Sequence, residues 1–293
     1  MLVTMKEILA DARNRKYAVG AFNVPNLESI RAVTEAAEEL GLPVILAHAE
    51  VHESLIPLRE VGPIMLDYAR RASVPVCVHL DHGASFEACM EAIRGGFTSI
   101  MFDASDKPYE ENLEKTREIT KIAHAVGVSV EAELGSMFNS AVGGGEGREV
   151  RGREDFASED DCYTNPEQAR QFVEGTGVDA LAVAFGTSHG VYLTAPRLDL
   201  DRVARIRDAA GIPLVMHGGS GVSEENFKKA IANGITKINY YTYSSMAGAG
   251  AVQAYLDSKK GEKVFFHDMA LAAQAGIKED VKAAMKIFAS SIL

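Results

Sequence analysis

The sequence predicts an α/β protein that folds as one domain, a (β/α)8 barrel spanning residues 1–293. Short β-branched runs alternate with longer amphipathic stretches from end to end. The apolar runs are nearly continuous, which is typical of parallel strands that are covered on both faces. Eight strand–helix units fit the TIM barrel, and a doubly wound open sheet is the alternative.

Eight apolar segments are the predicted strands, and a longer segment follows each of them. They are residues 17–24, 42–49, 74–81, 97–104, 128–135, 178–186, 212–219 and 235–242. Two of the predicted helices, 27–41 and 109–127, end at a glycine, as helix C-termini often do. A third begins after Ser223 and ends at Gly234, which are good helix start and stop residues.

One segment interrupts this alternation. Residues 136–162 are rich in glycine and charge and lack apolar periodicity. A loop of this length in a compact domain is usually either a lid over an active site or partly disordered. We interpret it as a long active-site loop, with partial disorder as the alternative.

Composition and charge exclude several classes of partner. The net charge is −11 and no basic block occurs, which argues against binding to nucleic acid or to an anionic membrane. A small anionic substrate remains compatible, because backbone amides can attract an anion locally. The three cysteines form no CxxC pair, and the first 20 residues lack the continuous apolar region of a signal peptide. We therefore expect a cytoplasmic protein.

The third predicted strand ends in HLDHG, residues 79–83. Imidazoles and carboxylates are costly to bury unless they are paired, hydrogen-bonded or bound to a metal. A polar strand end closed by a glycine turn is the simpler interpretation, and this stretch alone does not decide between the two.

The other strand ends favour a functional site. In a barrel of this type, the active site is formed by the C-terminal ends of the strands and the loops after them. Every predicted strand is followed by polar or ionisable residues. They are Asn23, His48, Glu50, Asp81, His82, Asp103, Ser105, Glu133, His189, His217, Asn239 and Thr242. Solvation alone does not explain a complete ring of such residues.

Three histidines at these ends predict a metal site. His82, His189 and His217 follow the third, sixth and seventh strands, which a barrel brings to one mouth. Three imidazoles with an open fourth position are typical of catalytic zinc. His79 is expected to orient a ligand rather than to bind the metal. The remaining histidines with helical or loop patterns are predicted to lie on the surface: His52, His124 and His267.

The last two strands predict a phosphate site. HGGSG (217–221) ends the seventh strand and NYYT (239–242) ends the eighth. Barrel enzymes often hold a phosphate with backbone N–H groups of the loops that follow these two strands. Glycines allow close backbone approach, and the hydroxyls of Ser220 and Thr242 can add donors.

These motifs resemble the class II, zinc-dependent ketose-bisphosphate aldolases. HLDHG, VEAELG (130–135), GTSHG (186–190) and HGGSG occur in the family's order, and residues 21–47 and 163–192 are also similar. The resemblance covers almost the whole chain and is greatest to the tagatose-bisphosphate branch. It implies reversible cleavage of a fructose- or tagatose-type ketose 1,6-bisphosphate to dihydroxyacetone phosphate and an aldehyde such as glyceraldehyde 3-phosphate.

The resemblance also implies residue roles. Asp81 matches the catalytic acid/base, His82, His189 and His217 match the zinc ligands, and Glu133 matches a carboxylate that binds the metal in a second, more buried position. The predicted substrate-binding residues are Gly190, Gly218, Gly219, Ser220, Asn239, Tyr240, Tyr241, Thr242, Asn23, His48 and Glu50. One catalytic Zn²⁺ is implied, with a monovalent cation as a second candidate. The implied partners are a small phosphorylated sugar and further copies of the chain in a homodimer or homotetramer.

Three departures from the family pattern concern the aldehyde half of the substrate. His48, followed by Glu50, replaces the small residue that usually ends the second strand. Residues 239–245 lack the usual aspartate and the basic residue that would hold a distal phosphate. The short GGxED lid is replaced by residues 136–162, where Glu146 or Glu154 could supply the acid.

Alternative functions remain at this point. A ketose 1-phosphate without the distal phosphate would suit the altered end of the pocket. A zinc barrel hydrolase would use the same histidines to activate water but would need no phosphate site. A non-catalytic sugar-phosphate-binding protein is disfavoured, because Asp81 and the three histidines are all present. Lys237, on the eighth strand, is not assigned a role.

Overall fold

The computed structural model describes residues 1–136, 138–139, 162–192 and 195–293. Within them, eight parallel strands close into a barrel, which confirms the predicted fold. The barrel strands are β1 (Val19–Asn23), β2 (Val44–Ala49), β3 (Val76–Gly83), β4 (Ser99–Phe102), β5 (Ser129–Leu134), β7 (Ala180–Val183), β9 (Leu214–Met216) and β10 (Ile235–Tyr240). Two short strands outside the barrel, β6 (Phe138–Asn139) and β8 (Ser188–His189), pair in parallel.

Helices connect the strands and form the outer layer. In the described part of the chain they are α1 (Met5–Arg15), α2 (Leu27–Leu40), α3 (Leu58–Arg71), α4 (Phe86–Gly95), α5 (Tyr109–Ala125), α6 (Pro166–Thr176), α7 (Leu200–Ala210), α8 (Glu224–Asn233), α9 (Thr242–Ser258) and α10 (Phe266–Phe288). A 3₁₀ helix, Glu50–Ser54, follows β2. No helix among the described residues is long and apolar enough to cross a bilayer.

Local capping explains why several helices begin and end where the sequence predicts. The side chain of Asn26 accepts a hydrogen bond from Ser29 N at the start of α2, and Gly41 ends that helix in the left-handed region. Ser223 caps α8 in the same way, and Gly234 follows the last residue of that helix. The predicted loop 136–162 lies outside the described residues, except for Ser136, the strand β6 and Cys162.

Strand register determines which side chains enter the barrel. Residues that pair across parallel strands share a face, and faces alternate along each strand. Ala47 pairs with His79 and Ala49 with Asp81, and these positions face the lumen. His48 pairs with Leu80 and therefore faces the helical layer.

Candidate active site at the barrel mouth

The structure brings the three predicted metal ligands together at the carboxyl ends of the strands. The ring centroids of His82 and His217 lie 4.6 Å apart, and that of His189 lies 5.1 Å from His82. One ring nitrogen of each histidine falls within a group whose members are all within 4.8 Å of one another. His82 lies in β3, His189 in β8 and His217 directly after β9, which is why spacing in the sequence does not reveal the cluster.

The backbone of His82 adopts an uncommon conformation that turns its ring toward the site. Its φ of 46° lies in the left-handed region, which is costly for a residue with a Cβ. The pairing of β3 with β4 also shifts between Leu80 and Gly83. His82 Nδ1 lies 2.8 Å from Asp103 Oδ2. A carboxylate only accepts, so Nδ1 carries a proton and Nε2 is the nitrogen that faces the site.

His217 is oriented from below by a second carboxylate. Its Nε2 lies 2.9 Å from Glu131 Oε1, deep in the lumen. Nδ1 therefore presents its lone pair to the site, 3.0 Å from His82 Nε2 and 3.4 Å from Glu133 Oε2. Burial lowers the pKa of His217 and lowers that of His189 to about 3. Both rings are thus in the neutral state that binds metal ions.

The donor set fits a divalent cation. Two imidazole nitrogens face each other across 3.0 Å, and each ring donates its other nitrogen's proton to a carboxylate. Burial alone would lower the pKa of His82, but the charges of Asp81 and Asp103 outweigh it and raise that pKa to about 10. This electrostatic environment favours a positive charge at the point where the nitrogens converge. Zn²⁺ prefers such nitrogen ligands in a site that keeps one position open.

Glu133 belongs to a second group of candidate metal ligands. Oxygens of Glu133 and Asp103 form a group with a nitrogen of His82 in which all three atoms lie within 4.8 Å of one another. Glu133 and Asp103 are both buried, so this second group lies deeper than the three histidines and shares His82 with them.

Asp81 lies beside the histidine cluster and is held by two amides. Asn23 Nδ2 donates to Asp81 Oδ2 over 3.1 Å, and Asn239 Nδ2 donates to Oδ1 over 3.0 Å. Burial would raise the pKa of this carboxyl, but the positive charges of His82 and Lys237 hold it below its usual range. Asp81 is therefore a charged, oriented carboxylate.

A small polar pocket lies next to these residues. It is lined by Asn23, His189, Gly190, Gly218, Gly219, Ser220, Asn239, Tyr240, Tyr241 and Thr242. Gly218 has a φ of 66°, and a Cβ there would overlap the carbonyl of Ser188. Tyr192, which the sequence did not single out, accepts from Ser188 N and donates to Gly218 O, so it ties the two loops together. Backbone amides and the first turn of α9 can hold an anion here.

Three of the predicted substrate-binding residues have other positions than expected. The ring of Tyr240 packs against Phe22 and Phe288 in the helical layer, although the residue lines the pocket at the strand end. Glu50 accepts hydrogen bonds from Ala84 N and Ser85 Oγ, so its carboxylate holds the turn after β3. His48 faces outward, with Nε2 3.5 Å from Glu53 Oε1.

The surface prediction was wrong for His52. It is only 5% exposed, and its ring centroid lies 5.0 Å from that of Tyr241, because the 3₁₀ helix folds against the start of α9. His124 and His267 have side chains that are 39% and 74% exposed, as predicted. Glu146 and Glu154 lie outside the described residues.

Two residues that matter to the site were missed. Glu131 and Lys237 are completely buried in the lumen, 2.8 Å apart. The signal was present, because Glu131 lies two residues before Glu133 and Lys237 two before Asn239. Residues two apart on a strand share a face.

Comparison with known proteins identifies the family. Residues 3–292 match the family described as fructose-bisphosphate aldolase class II. The chain belongs to the class II fructose-bisphosphate aldolases. It is therefore an aldolase, a carbon–carbon lyase, as the sequence motifs indicated.

Relatives of this class II aldolase align with it over almost their full length. It is 41% identical to the fructose-bisphosphate aldolase of Staphylococcus aureus (strain Mu50), covering 99% of this chain and 98% of the relative. It is also 41% identical to the probable fructose-bisphosphate aldolase of Bacillus subtilis (strain 168), with the same coverage. The crystal structure of the YdjI aldolase from Escherichia coli K12 superposes with a TM-score of 0.86 at 36% identity, covering 100% and 99% of the two chains.

Proposed function

We propose that this aldolase is zinc-dependent and cleaves a ketose 1,6-bisphosphate of the fructose or tagatose type. The products are dihydroxyacetone phosphate and an aldehyde such as glyceraldehyde 3-phosphate, and the reaction is reversible. The observation that carries this proposal is the Asp81 carboxylate next to three converging histidines, held by two amides that also line the polar pocket.

Asp81 is the proposed acid/base. As a charged carboxylate it takes the proton of the C4 hydroxyl, the C3–C4 bond breaks, and the aldehyde leaves with its new carbonyl group. Both oxygens of Asp81 accept amide hydrogen bonds, which fix the direction in which the carboxylate meets the substrate. In the synthetic direction the same group returns the proton.

His82, His189 and His217 are the proposed zinc ligands, with Glu133 as the deeper alternative ligand. The chemistry that Zn²⁺ supplies when bound is Lewis-acid stabilisation of the negative charge that develops on the three-carbon fragment. The residues of this chain contribute orientation, because Asp103 and Glu131 fix which nitrogen of His82 and of His217 faces the site.

The polar pocket is the proposed site for the phosphate of dihydroxyacetone phosphate. Backbone N–H groups at Gly190, Gly218 and Ser220 and at the start of α9 would hold it, together with Asn23, Asn239 and Thr242. The N–H of Gly219 donates to Asn239 O, and the missing side chain of Gly219 lets the backbone approach the phosphate closely. Holding the phosphate fixes the three-carbon half of the substrate against Asp81 and lowers the entropic cost of reaction. A monovalent cation beside the phosphate remains part of this proposal.

A ketose 1-phosphate is the second candidate substrate. Residues 239–245 contain no cationic side chain, and none lines the described pocket. A distal phosphate would therefore need a cation from elsewhere. The hydrolase alternative is disfavoured, because the chain belongs to an aldolase family and a hydrolase would not need the proposed phosphate pocket.

The decisive experiment measures release of dihydroxyacetone phosphate from a panel of ketose 1-phosphates and 1,6-bisphosphates, with and without a chelator. Release from fructose or tagatose bisphosphate that the chelator abolishes is the expected result. Release only from 1-phosphates would favour the second candidate. Activity that survives complete metal removal would contradict zinc dependence, and no release from any substrate would contradict the proposed substrate class.

We further propose a homodimer or homotetramer in the cytoplasm, with residues 136–162 at the active-site mouth of the single domain. Phe265, Phe266 and Leu271 are 58–80% exposed near the start of α10, which supports burial against another copy. The three free, buried cysteines suit a reducing compartment. Pairing of β6 with β8, the strand that carries His189, supports the position of the loop. Light scattering on the purified protein tests the oligomer.

A further inference from the structure

Lys237 lies inside the barrel, two residues before Asn239 on β10 and therefore further from the mouth. It is 0% exposed on β10, between neighbours on β1 and β9. It shares the lumen face with Asn239, because side chains alternate along a strand. A buried ammonium group is costly unless it is paired and hydrogen-bonded. Its partners therefore indicate why a lysine occupies this position.

The ammonium group has two partners that lead in opposite directions. Lys237 Nζ lies 2.8 Å from Glu131 Oε2 and donates to Asn239 Oδ1 over 2.8 Å. Glu131 contacts His217, one of the proposed metal ligands, and Asn239 contacts the proposed base Asp81. Lys237 thus contacts both the residue that orients His217 and the residue that orients Asp81.

The first branch fixes the amide of Asn239. An ammonium group has donors only, so the amide oxygen must face Lys237. The Nδ2 group of Asn239 is then directed to Asp81 Oδ1, 3.0 Å away. With the opposite orientation of this amide, an oxygen would face the carboxylate and repel it.

The second branch fixes the carboxylate of Glu131. Its Oε2 faces Lys237, and its Oε1 accepts from His217 Nε2 over 2.9 Å. This hydrogen bond leaves His217 Nδ1 as the nitrogen that faces the site. His79 Nε2 lies 3.7 Å from Oε2, beyond hydrogen-bonding distance.

We propose that Lys237 is a positioning residue that couples the base to the metal site. Its single buried ammonium group orients Asn239 against Asp81 and Glu131 against His217. Removing it should therefore impair metal binding and proton transfer together. The inference rests on the proposed roles of Asp81 and His217.

The test uses the full-length protein carrying Lys237→Met, which keeps the length of the side chain and removes its charge and donors. The double variant Lys237→Met/Glu131→Gln removes the buried charge pair together, so the protein does not retain an unpaired carboxylate. Thr236→Val is the matched control, because Thr236 is the adjacent buried residue and its hydroxyl donates to Leu214 O, not to the lumen network. Circular dichroism and melting curves establish that each variant is folded.

Three properties are measured: zinc affinity by chelator competition, the visible spectrum of the cobalt(II)-substituted protein, and kcat and KM at saturating metal. For Lys237→Met we expect zinc affinity to fall about 10- to 100-fold, in the range found for groups that orient metal ligands. The cobalt spectrum should shift, and kcat should fall at least about 10-fold at saturating metal with KM nearly unchanged. The double variant should regain stability but not kcat, and Thr236→Val should change neither affinity nor kcat.

The proposal is overturned if folded Lys237→Met changes only the melting temperature, or only one of zinc affinity and kcat. It is also overturned if the double variant recovers kcat, because Lys237 would then serve only to neutralise Glu131. Failure of the proposed function is distinguishable, since the wild-type protein would then release no dihydroxyacetone phosphate. In that case, an unchanged cobalt spectrum in Lys237→Met would still contradict the inference.

Discussion

His217 Nδ1 and His82 Nε2 face each other across 3.0 Å, although 135 residues separate them in the sequence. Each ring has its other nitrogen against a carboxylate, Glu131 for His217 and Asp103 for His82. The raised pKa of His82 places a proton between these two nitrogens, and a bound cation would replace that proton at the same point. A cation bound at this point is therefore expected to stabilise the folded protein as well as to take part in its chemistry.

Removal of the metal should abolish activity and lower thermal stability. A ligand that binds only the folded state stabilises it by RT ln(1 + [L]/Kd), about 2.7 kcal/mol at 100 times Kd. We expect chelation to lower the melting temperature by several degrees and zinc to restore both properties. Melting curves and cleavage assays on the same samples measure this. An unchanged melting temperature in metal-free protein would contradict the prediction.

Asp103→Asn should weaken metal binding. The amide can turn its NH2 group toward His82 Nδ1, which removes the acceptor that fixes the ring. We expect zinc affinity to fall about 10- to 100-fold, while kcat at saturating zinc changes much less. Chelator competition measures the affinity. Equal affinities for variant and wild type would show that Asp103 does not orient His82.

Asp81→Asn should lower kcat and leave zinc affinity nearly unchanged. The amide cannot accept the C4 hydroxyl proton, so kcat should fall about 10²- to 10⁴-fold. Zinc content and substrate KM should remain close to wild type, because Asp81 belongs to neither group of candidate metal ligands. Steady-state kinetics with zinc analysis test this. A variant with more than about a tenth of wild-type kcat would exclude Asp81 as the base.

Gly218→Ala should impair phosphate binding. Gly218 and Gly41 have similar left-handed φ angles, 66° and 64°. A Cβ would overlap Ser188 O at Gly218, whereas Gly41 has no atom within 4 Å of that position. Gly41→Ala should therefore cost only the backbone strain, about 1–2 kcal/mol. Gly218→Ala should also raise KM about 10-fold or more, and comparable KM values in the two variants would argue against the pocket.

Asp280→Asn should stabilise the protein at neutral pH. Asp280 is half-buried on α10, 3.5 Å from the Tyr240 hydroxyl, and burial raises its pKa. A raised folded-state pKa favours folding below the unfolded value of about 3.8, and this contribution is lost as pH rises through the folded-state pKa. We expect the variant to melt higher than wild type near pH 7, with the difference vanishing near pH 3.

The matched control for Asp280 is Glu279→Gln, one residue earlier on α10. Glu279 is exposed and lies 3.2 Å from Lys282. Its substitution should leave the melting temperature nearly unchanged, since exposed ion pairs contribute little. If Asp280→Asn lowers the melting temperature at neutral pH, the charged carboxylate is stabilising and the prediction is wrong.

The order of strands and most polar strand ends could be predicted from the sequence. Near-continuous apolar runs indicated parallel strands, and all eight predicted strands occur in the barrel. His82, His189 and His217 were chosen because barrel closure brings strand ends together, and the structure does bring them together. Glycine and serine capping signals placed the ends of α2 and α8 for local reasons.

Side-chain direction was harder to predict. His48 and Tyr240 end apolar strands as Asp81 and Asn239 do, yet they occupy the alternate face and point toward the helices. The 3₁₀ helix after β2 buries His52, which the local pattern places on the surface. In a regular strand, a polar residue near the end is therefore a candidate only if its position faces the lumen. His82 is the exception, because its left-handed backbone and the register shift after Leu80 turn its ring toward the site.

The eight barrel strands, the family and the candidate metal ligands could be predicted without a structure, because these depend on local hydrophobic patterns and short motifs. Which groups come into contact became clear from the folded barrel. Lys237 contacts Glu131 from a strand 106 residues away and Asn239 from its own strand. Interstrand register and the inward face of the closed barrel set these contacts, and no local pattern encodes the distance between two strands.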